Sequence, residues 1–267
     1  MTTTSFSIAA SAMKAREMEV STIANNLANM NTTGYFAERL ALADLPYIYE
    51  RRPGVKTDAN EAQPAPTGIE YGLGVKIVGT YRLFNEVEVK QTKSPYDVAI
   101  TGKGFFKIIM SDGTFSYTRA GQFGPNAVGQ LVDPAGNVVS PGITIPQNVP
   151  QDGISINSSG QIYVSIPGQT QLQLLGQLDI VDFQNPDGLL PVGDNLFTET
   201  ESSGTPVTGQ PGIDGMGLMR GGWLEGSNVD AVKELTDLIR AQRNYELCSK
   251  IISSSDDMLK QIATIKQ

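Results

Sequence analysis

The chain has 267 residues, of which 18% are charged, with a formal net charge of −8 and no histidine. The missing histidine excludes the usual Ser-His-Asp and Cys-His arrangements and removes the commonest general base and metal ligand. Without a basic block, the chain has no electrostatic signature of nucleic-acid binding, and no apolar run approaches the ~18 residues of a membrane span.

The first predicted element is a helix over residues 5–30. Apolar side chains recur every seven residues, at Phe6, Met13, Val20 and Leu27, which is the period of a coiled-coil stripe. We expect the helix to end before the polar run at 31–33, with Gly34 as the left-handed residue that stops it.

The segment at residues 46–75 is rich in proline, glycine and polar residues and offers few packing anchors. We interpret it as an extended arm or loop that holds Arg52, Pro53 and Gly54. It is not a linker between independent domains.

Residues 76–224 change pattern again, because Gly, Pro, Asp and Asn recur at short intervals between brief apolar runs. This spacing of turn-forming residues is typical of strands joined by turns. The predicted strands cover residues 98–100, 105–110, 143–145, 161–166 and 172–183.

The last predicted element is a helix over residues 229–264, with Ser227 and Asn228 offering the N-cap. Its apolar stripe again has a period of seven residues, with members at Leu238, Tyr245, Ile252 and Leu259.

The predicted fold class is therefore α+β. Residues 1–45 and 225–267 form a terminal helical domain in which the two helices pair as a coiled coil, residues 46–75 form the arm, and residues 76–224 form an all-β domain. Periodicity alone leaves two alternatives open. The helices either pack on the β domain of a monomer or bury their apolar surface against neighbouring copies.

Two sequence motifs resemble those of the flagellar rod and hook protein family. One is the run ANNLANMNTTGY at residues 24–35; the other combines EGSNV at 225–229 with RNYE at 243–246. The stretches at 97–106 and 117–121 are also similar to that family. The signature residues are Asn25, Asn26, Leu27, Asn29, Gly34, Ser227, Asn228, Arg243, Tyr245 and Glu246.

Within that family the chain looks most like the distal rod proteins, and the alternative is the longer proximal rod paralogue. The resemblance implies a helical homopolymer that forms a rigid hollow tube and transmits torque from motor to hook. It implies proximal rod and hook-side axial proteins, the surrounding basal-body rings and the flagellar export apparatus as partners. The expected location is the periplasm-spanning rod of the basal body. Type III export without a cleaved signal peptide fits the start of the chain, which has no basic and apolar leader regions.

Two other functions account for less of the sequence. A glycan hydrolase would need two carboxylates ~5–10 Å apart across a cleft, and Asp97, Asp112, Asp179 and Asp182 are available in the β region. A secreted adhesin would explain the β domain but not the motifs at both ends. We predict a structural protein without catalytic residues, cofactor or metal, in which Cys248 packs as a small hydrophobe.

Overall fold

The computed structural model describes residues 2–52, 67–85, 87–147, 149–150, 153–167 and 171–265. The chain divides into two compact units. Unit 1 comprises residues 1–27, 38–81 and 230–267, and unit 2 comprises residues 28–37 and 82–229.

Unit 1 is built from two long helices and two strand pairs, β1 with β4 and β2 with β3. Their bounds are α1 Thr2–Ala28, β1 Glu38–Asp44, β2 Tyr47–Arg51, β3 Ile69–Gly72, β4 Val75–Arg82 and α2 Ala231–Ile265. The β2–β3 pair is antiparallel, with Tyr47 opposite Gly72 and Ile48 opposite Tyr71. It forms a ribbon whose two strands flank residues 53–66.

The end of α1 corrects one prediction. The helix stops at Ala28, two residues before the predicted end, and Gly34 lies six residues further on with φ +68°. Gly34 therefore does not terminate the helix. A Cβ at this position would lie 2.5 Å from the Ala120 nitrogen, so glycine is needed for the close approach of two backbone segments.

The start of α2 corrects a second prediction. The helix begins at Ala231, and the Asp230 carboxylate accepts the amides of Val232 and Lys233 at 2.9 and 3.3 Å. Asp230 is thus the N-cap. Neither Ser227 nor Asn228 has that role.

The described part of unit 2 consists mainly of strands and turns and includes a short 3₁₀ segment at Pro186–Gly188. Nine of its described strands form one sheet, in the order β16-β17-β8-β7-β11-β10-β9, with β15 pairing to β7 and β18. Three more form the order β12-β13-β14, and β6 pairs with β19 and β5 with β20. The strand bounds are β5 Val89–Gln91, β6 Val98–Thr101, β7 Phe105–Ile109, β8 Phe115–Thr118, β9 Gly124–Pro125, β10 Leu131–Val132, β11 Val138–Val139, β12 Ile154–Ile156, β13 Gln161–Val164, β14 Gln173–Gln177, β15 Ile180–Asp182, β16 Leu190–Gly193, β17 Leu196–Thr198, β18 Val207–Gly209, β19 Leu218–Gly221 and β20 Trp223–Glu225.

Strand β7 separates two apolar clusters in unit 2. Successive residues of a strand face opposite sides of the sheet, so Phe106 packs in a large aliphatic cluster with Ile180, while Phe105 joins an aromatic cluster with Phe183 and Phe197. The Phe106 and Ile180 side chains are fully buried. Unit 2 therefore encloses its own hydrophobic core.

The α+β class is confirmed, with a helix near each end of the chain and a β-rich middle. Predicted strands at 98–100, 105–110 and 161–166 correspond to β6, β7 and β13. The run at 172–183 is divided between two strands that pair with different neighbours, and 143–145 contributes only an isolated bridge at Thr144.

Candidate assembly surfaces

The seven-residue stripe of α1 lies at the margin of the buried surface. Phe6, Met13, Val20 and Leu27 are all half-buried. The most deeply buried side chains of this helix lie beside that stripe, at Ala9, Ala15, Ile23 and Asn26.

Helix α2 shows the same offset. Leu238 and Ile252 are half-buried, whereas Tyr245 and Leu259 are 39% and 36% exposed. A parallel row consists of small or polar residues, of which Glu234, Ala241 and Ser255 are buried and Cys248 is half-buried. We predict that the two seven-residue stripes, at Phe6, Met13, Val20, Leu27, Leu238, Tyr245, Ile252 and Leu259, together form the seam between subunits. On α2 this predicted seam runs beside a row that has no large apolar side chain, and its role in assembly stays a prediction.

A polar cluster links the end of α1 with the start of α2. Asn26 is fully buried; its Nδ2 donates to the Glu38 carbonyl at 2.9 Å and to Glu234 Oε2 at 3.3 Å, and its Oδ1 accepts the Glu38 amide at 2.9 Å. Arg39 donates to both carboxylate oxygens of Glu234, with Asp237 3.9 Å away. A buried carboxylate with this many partners fixes a single register between the elements that it joins.

A second row of apolar side chains on α2 is exposed. It consists of Val232, Ile239, Leu247, Ile251 and Met258, which are 75%, 51%, 55%, 51% and 48% exposed. At 100° per residue these five fall within an arc of about 120°, centred about 130° from the buried row. The same arc also holds the charged residues Lys233, Arg240, Arg243, Lys250 and Asp257. An amphipathic helix buries one stripe, so the five apolar side chains of this second stripe have no cover in the single chain.

The β2–β3 ribbon is also apolar and exposed. Tyr47, Ile48, Tyr49, Ile69 and Tyr71 are between 38% and 54% exposed. Because Tyr47 and Ile48 are consecutive in a strand, they face opposite sides, and both faces of the ribbon expose apolar surface. A two-stranded ribbon has marginal stability by itself in water.

Within unit 2 the signature residues lie at backbone junctions. The Gly34 amide donates to the Glu225 carbonyl at 3.0 Å. The Glu225 carboxylate pairs with Arg119 through two bonds of 2.9 Å, and Arg119 also donates to the carbonyls of Gly102 and Gly104. Burial raises the pKa of the Glu225 carboxyl above its ordinary value, and the Arg119 guanidinium opposes that rise.

The remaining predicted residues are distributed over the surface. Asn25, Arg243 and Glu246 are exposed, Asn29 and Ser227 are half-buried, and Arg52 is exposed just after β2. Pro53 and Gly54 lie outside the described residues.

Sequence reasoning missed both ion pairs, Arg39–Glu234 and Arg119–Glu225. Glu225 and Arg119 were noticed only as parts of motifs. No local signal in the sequence marks Glu234. Only the structure shows that it lies on the buried row, one heptad before Ala241, where a charge needs a partner.

The part of the chain that the structure describes holds no group of three or more His, Cys, Asp or Glu side chains placed to bind a metal ion. Over the same residues, neither helix is long and apolar enough to cross a membrane.

Comparison with known proteins covers both ends and the middle of the chain. Residues 6–35 match the family described as "Flagella basal body rod protein", residues 99–164 the "Flagellar hook protein FlgE/F/G D1 domain", and residues 220–265 the "Flagellar basal body rod FlgEFG protein C-terminal". The flagellar basal-body rod protein FlgG of Caulobacter vibrioides is 43% identical over 258 residues, which are 97% of each chain. The proteins of the same name from Agrobacterium fabrum and Borreliella burgdorferi are 46% and 44% identical over 251 residues, or 94% of this chain and 95% and 94% of theirs.

Proposed function

The chain belongs to the flagellar basal-body rod protein family, and from this premise we propose that it is a structural subunit of the distal rod. Copies of the chain assemble into a rigid hollow helical tube that transmits torque from motor to hook. The protein is structural and is not an enzyme. The observation that carries the proposal is the exposed apolar stripe of α2, since it requires a partner and the simplest partner is another copy.

The stripe supports a repeating contact. A surface on one copy that meets a different surface on the next generates a helical filament when the rotation does not close. Val232, Ile239, Leu247, Ile251 and Met258 supply one such surface, and the predicted seam residues supply another on the side of the helix near the buried row. The helical ends of many copies would then pack as an inner bundle, with the coiled-coil pairing of α1 and α2 as its unit.

The β2–β3 ribbon supports the predicted role of residues 46–75 as a locking arm. Both of its faces expose tyrosine or isoleucine, so a single neighbour would cover only half of the apolar surface. Insertion between two neighbouring copies covers both faces, and a subunit held on two sides resists bending. Arg52, Pro53 and Gly54 belong to this proposed arm.

In the proposed rod, the terminal helical domain would form the inner bundle, the arm would lock neighbouring copies together, and the β domain would lie outside. Torque transmission needs many interfaces that distort together and needs no chemistry. The proposed partners are other copies of the chain, proximal rod and hook-side axial proteins, the basal-body rings and the export apparatus. The subunit acts in the periplasm-spanning part of the basal body and reaches it by the flagellar export route.

Electron microscopy of basal bodies from cells that lack the gene tests this assignment. We expect a short rod stub without its outer segment and without a hook. Loss of the stub as well would favour the proximal rod paralogue, and a complete rod with a hook would refute the proposal. Re-expression of the unchanged chain in the same cells is the control.

A further inference from the structure

Asn228 closes a ring of three hydrogen bonds at one edge of unit 2. Its Oδ1 accepts the Ala37 amide at 2.7 Å, and its Nδ2 donates to the Leu83 carbonyl at 2.6 Å. The Leu83 amide in turn donates to the Ala37 carbonyl at 3.0 Å. One side chain thus completes the backbone pairing of two segments that are far apart in sequence.

Asparagine suits this position for a chemical reason. The ring needs an acceptor and a donor from the same short side chain, and a carboxamide supplies both. Aspartate could accept the Ala37 amide but could not donate to Leu83, and leucine could do neither. Asn228 is not used as a helix cap, since Asp230 has that role.

The three residues of the ring stand where the chain passes from one unit to the other. Such passages occur at 27/28, 37/38, 81/82 and 229/230. Ala37, Leu83 and Asn228 each lie within two residues of a different one. We propose that Asn228 is a positioning residue that ties three of the four passages together on the unit 2 side, so that force on one segment is shared by all three.

This inference rests on the proposed function, because sharing force matters only in a subunit that transmits torque. Three separate segments could twist independently at the edge of unit 2. Segments joined in a ring must move together, and the chain is stiffer there without any gain in the stability of the core.

Hydrogen exchange followed by NMR on the full chain tests the ring itself. With Asn228→Leu, we expect the Ala37 amide to exchange roughly five- to tenfold faster, as the loss of one net hydrogen bond predicts. With Asn228→Asp, the Ala37 amide should stay protected because the carboxylate still accepts it. The carboxylate cannot donate to the Leu83 carbonyl and repels it, so the Leu83 segment should open more often and the Leu83 amide, which bonds the Ala37 carbonyl, should exchange faster. Core amides at Phe106 and Ile180 should not change, and neither should any of these amides in the neighbouring control Ser227→Ala.

An equal rise at core and ring amides would mean that Asn228 only stabilises the fold and would overturn the proposal. Unchanged exchange at Ala37 in Asn228→Leu would overturn it as well.

The mechanical consequence is tested in basal bodies from cells whose only copy carries Asn228→Asp. We expect rods of normal length with a wider distribution of bend angles than in wild-type or Ser227→Ala cells. Rods as straight as wild type would overturn the stiffness role. Failure of the proposed function has a different signature, because the unchanged chain would then be missing from the rod.

Discussion

Unit 2 and unit 1 differ in how many of their large apolar side chains they bury. In unit 2, Phe106, Val98 and Ile180 are fully buried and the sheet encloses them. In unit 1, Val232 on α2 is 75% exposed and Ile48 on the ribbon is 54% exposed. Unit 2 therefore encloses a core of its own, although it also exposes Val128 and Leu172. Among the described residues of unit 1, Ile23 is the one large apolar side chain that is buried, so unit 1 leaves most of its large apolar side chains partly or fully exposed.

The largest change in stability is expected at Phe106, in the core of unit 2. Phe106→Ala should lower the free energy of unfolding by about 3–5 kcal/mol, because it leaves a cavity in an enclosed core. Chemical denaturation of the isolated chain measures this. Phe115 is 47% exposed on the same hairpin, with Lys107 Nζ 3.7 Å from its ring centroid, and Phe115→Ala should cost no more than about 1 kcal/mol. Equal costs would contradict the view of unit 2 as self-contained.

A second test uses the buried ion pair of unit 2. Arg119→Met leaves the Glu225 carboxylate buried without its cation and should cost about 3–5 kcal/mol of stability. Glu225→Gln should cost about 1–2 kcal/mol less than that, because Arg119 keeps the carbonyls of Gly102 and Gly104. Denaturant midpoints of the two variants at neutral pH decide the order, and the reverse order would show that the carboxylate matters more than the guanidinium.

The raised pKa of the buried Tyr117 hydroxyl predicts a loss of stability at alkaline pH. Burial, with Glu199 nearby, raises the pKa of its hydroxyl to about 12. The unfolded chain therefore releases this proton first, and stability should fall between about pH 10 and 12 by up to about 1.4 kcal/mol per pH unit. Tyr117→Phe should remove that part of the slope. If the free energy of unfolding falls equally steeply with pH in wild type and in Tyr117→Phe, Tyr117 is not the cause of the alkaline loss of stability.

The smallest effect on the isolated subunit is expected on α2. Ile251→Asp changes a side chain that is 51% exposed, so the free energy of unfolding should shift by no more than about 0.5 kcal/mol. Rod assembly and swimming should nevertheless be lost, because the charge would be buried between copies. Ser253→Asp is the control, since Ser253 is exposed on the same helix and lies outside the exposed stripe, the buried row and the predicted seam. Normal swimming with Ile251→Asp would show that the stripe is not part of the assembly surface.

The sequence predicts the elements of this fold better than their ends or contacts. Both long helices follow from a seven-residue apolar period, which is a local property. Gly34 and Asn228 were given helix-end roles because their true partners are distant. Asn228 meets Ala37 across 191 residues of sequence, and no local propensity encodes such a contact.

The candidate surfaces were predicted only in part for the same physical reason. A seven-residue apolar period identifies Leu238 and Ile252 as candidates for a packed position. It cannot identify Glu234, because the burial of that carboxylate depends on Arg39 and Asn26. Nor does the period distinguish a stripe that packs within the chain from one that packs against another copy. That distinction came from exposure in the folded chain, at Val232 and Ile239 above all.

The two-faced ribbon has a consequence for how growth begins. A free copy meeting a second free copy can cover one face of its ribbon, and the other stays in water. In the proposed assembly, a copy that joins an existing end and is then followed by the next would have both faces of its ribbon covered. Initiation should therefore be much slower than elongation, and a pool of subunits can stay dispersed until a template is present.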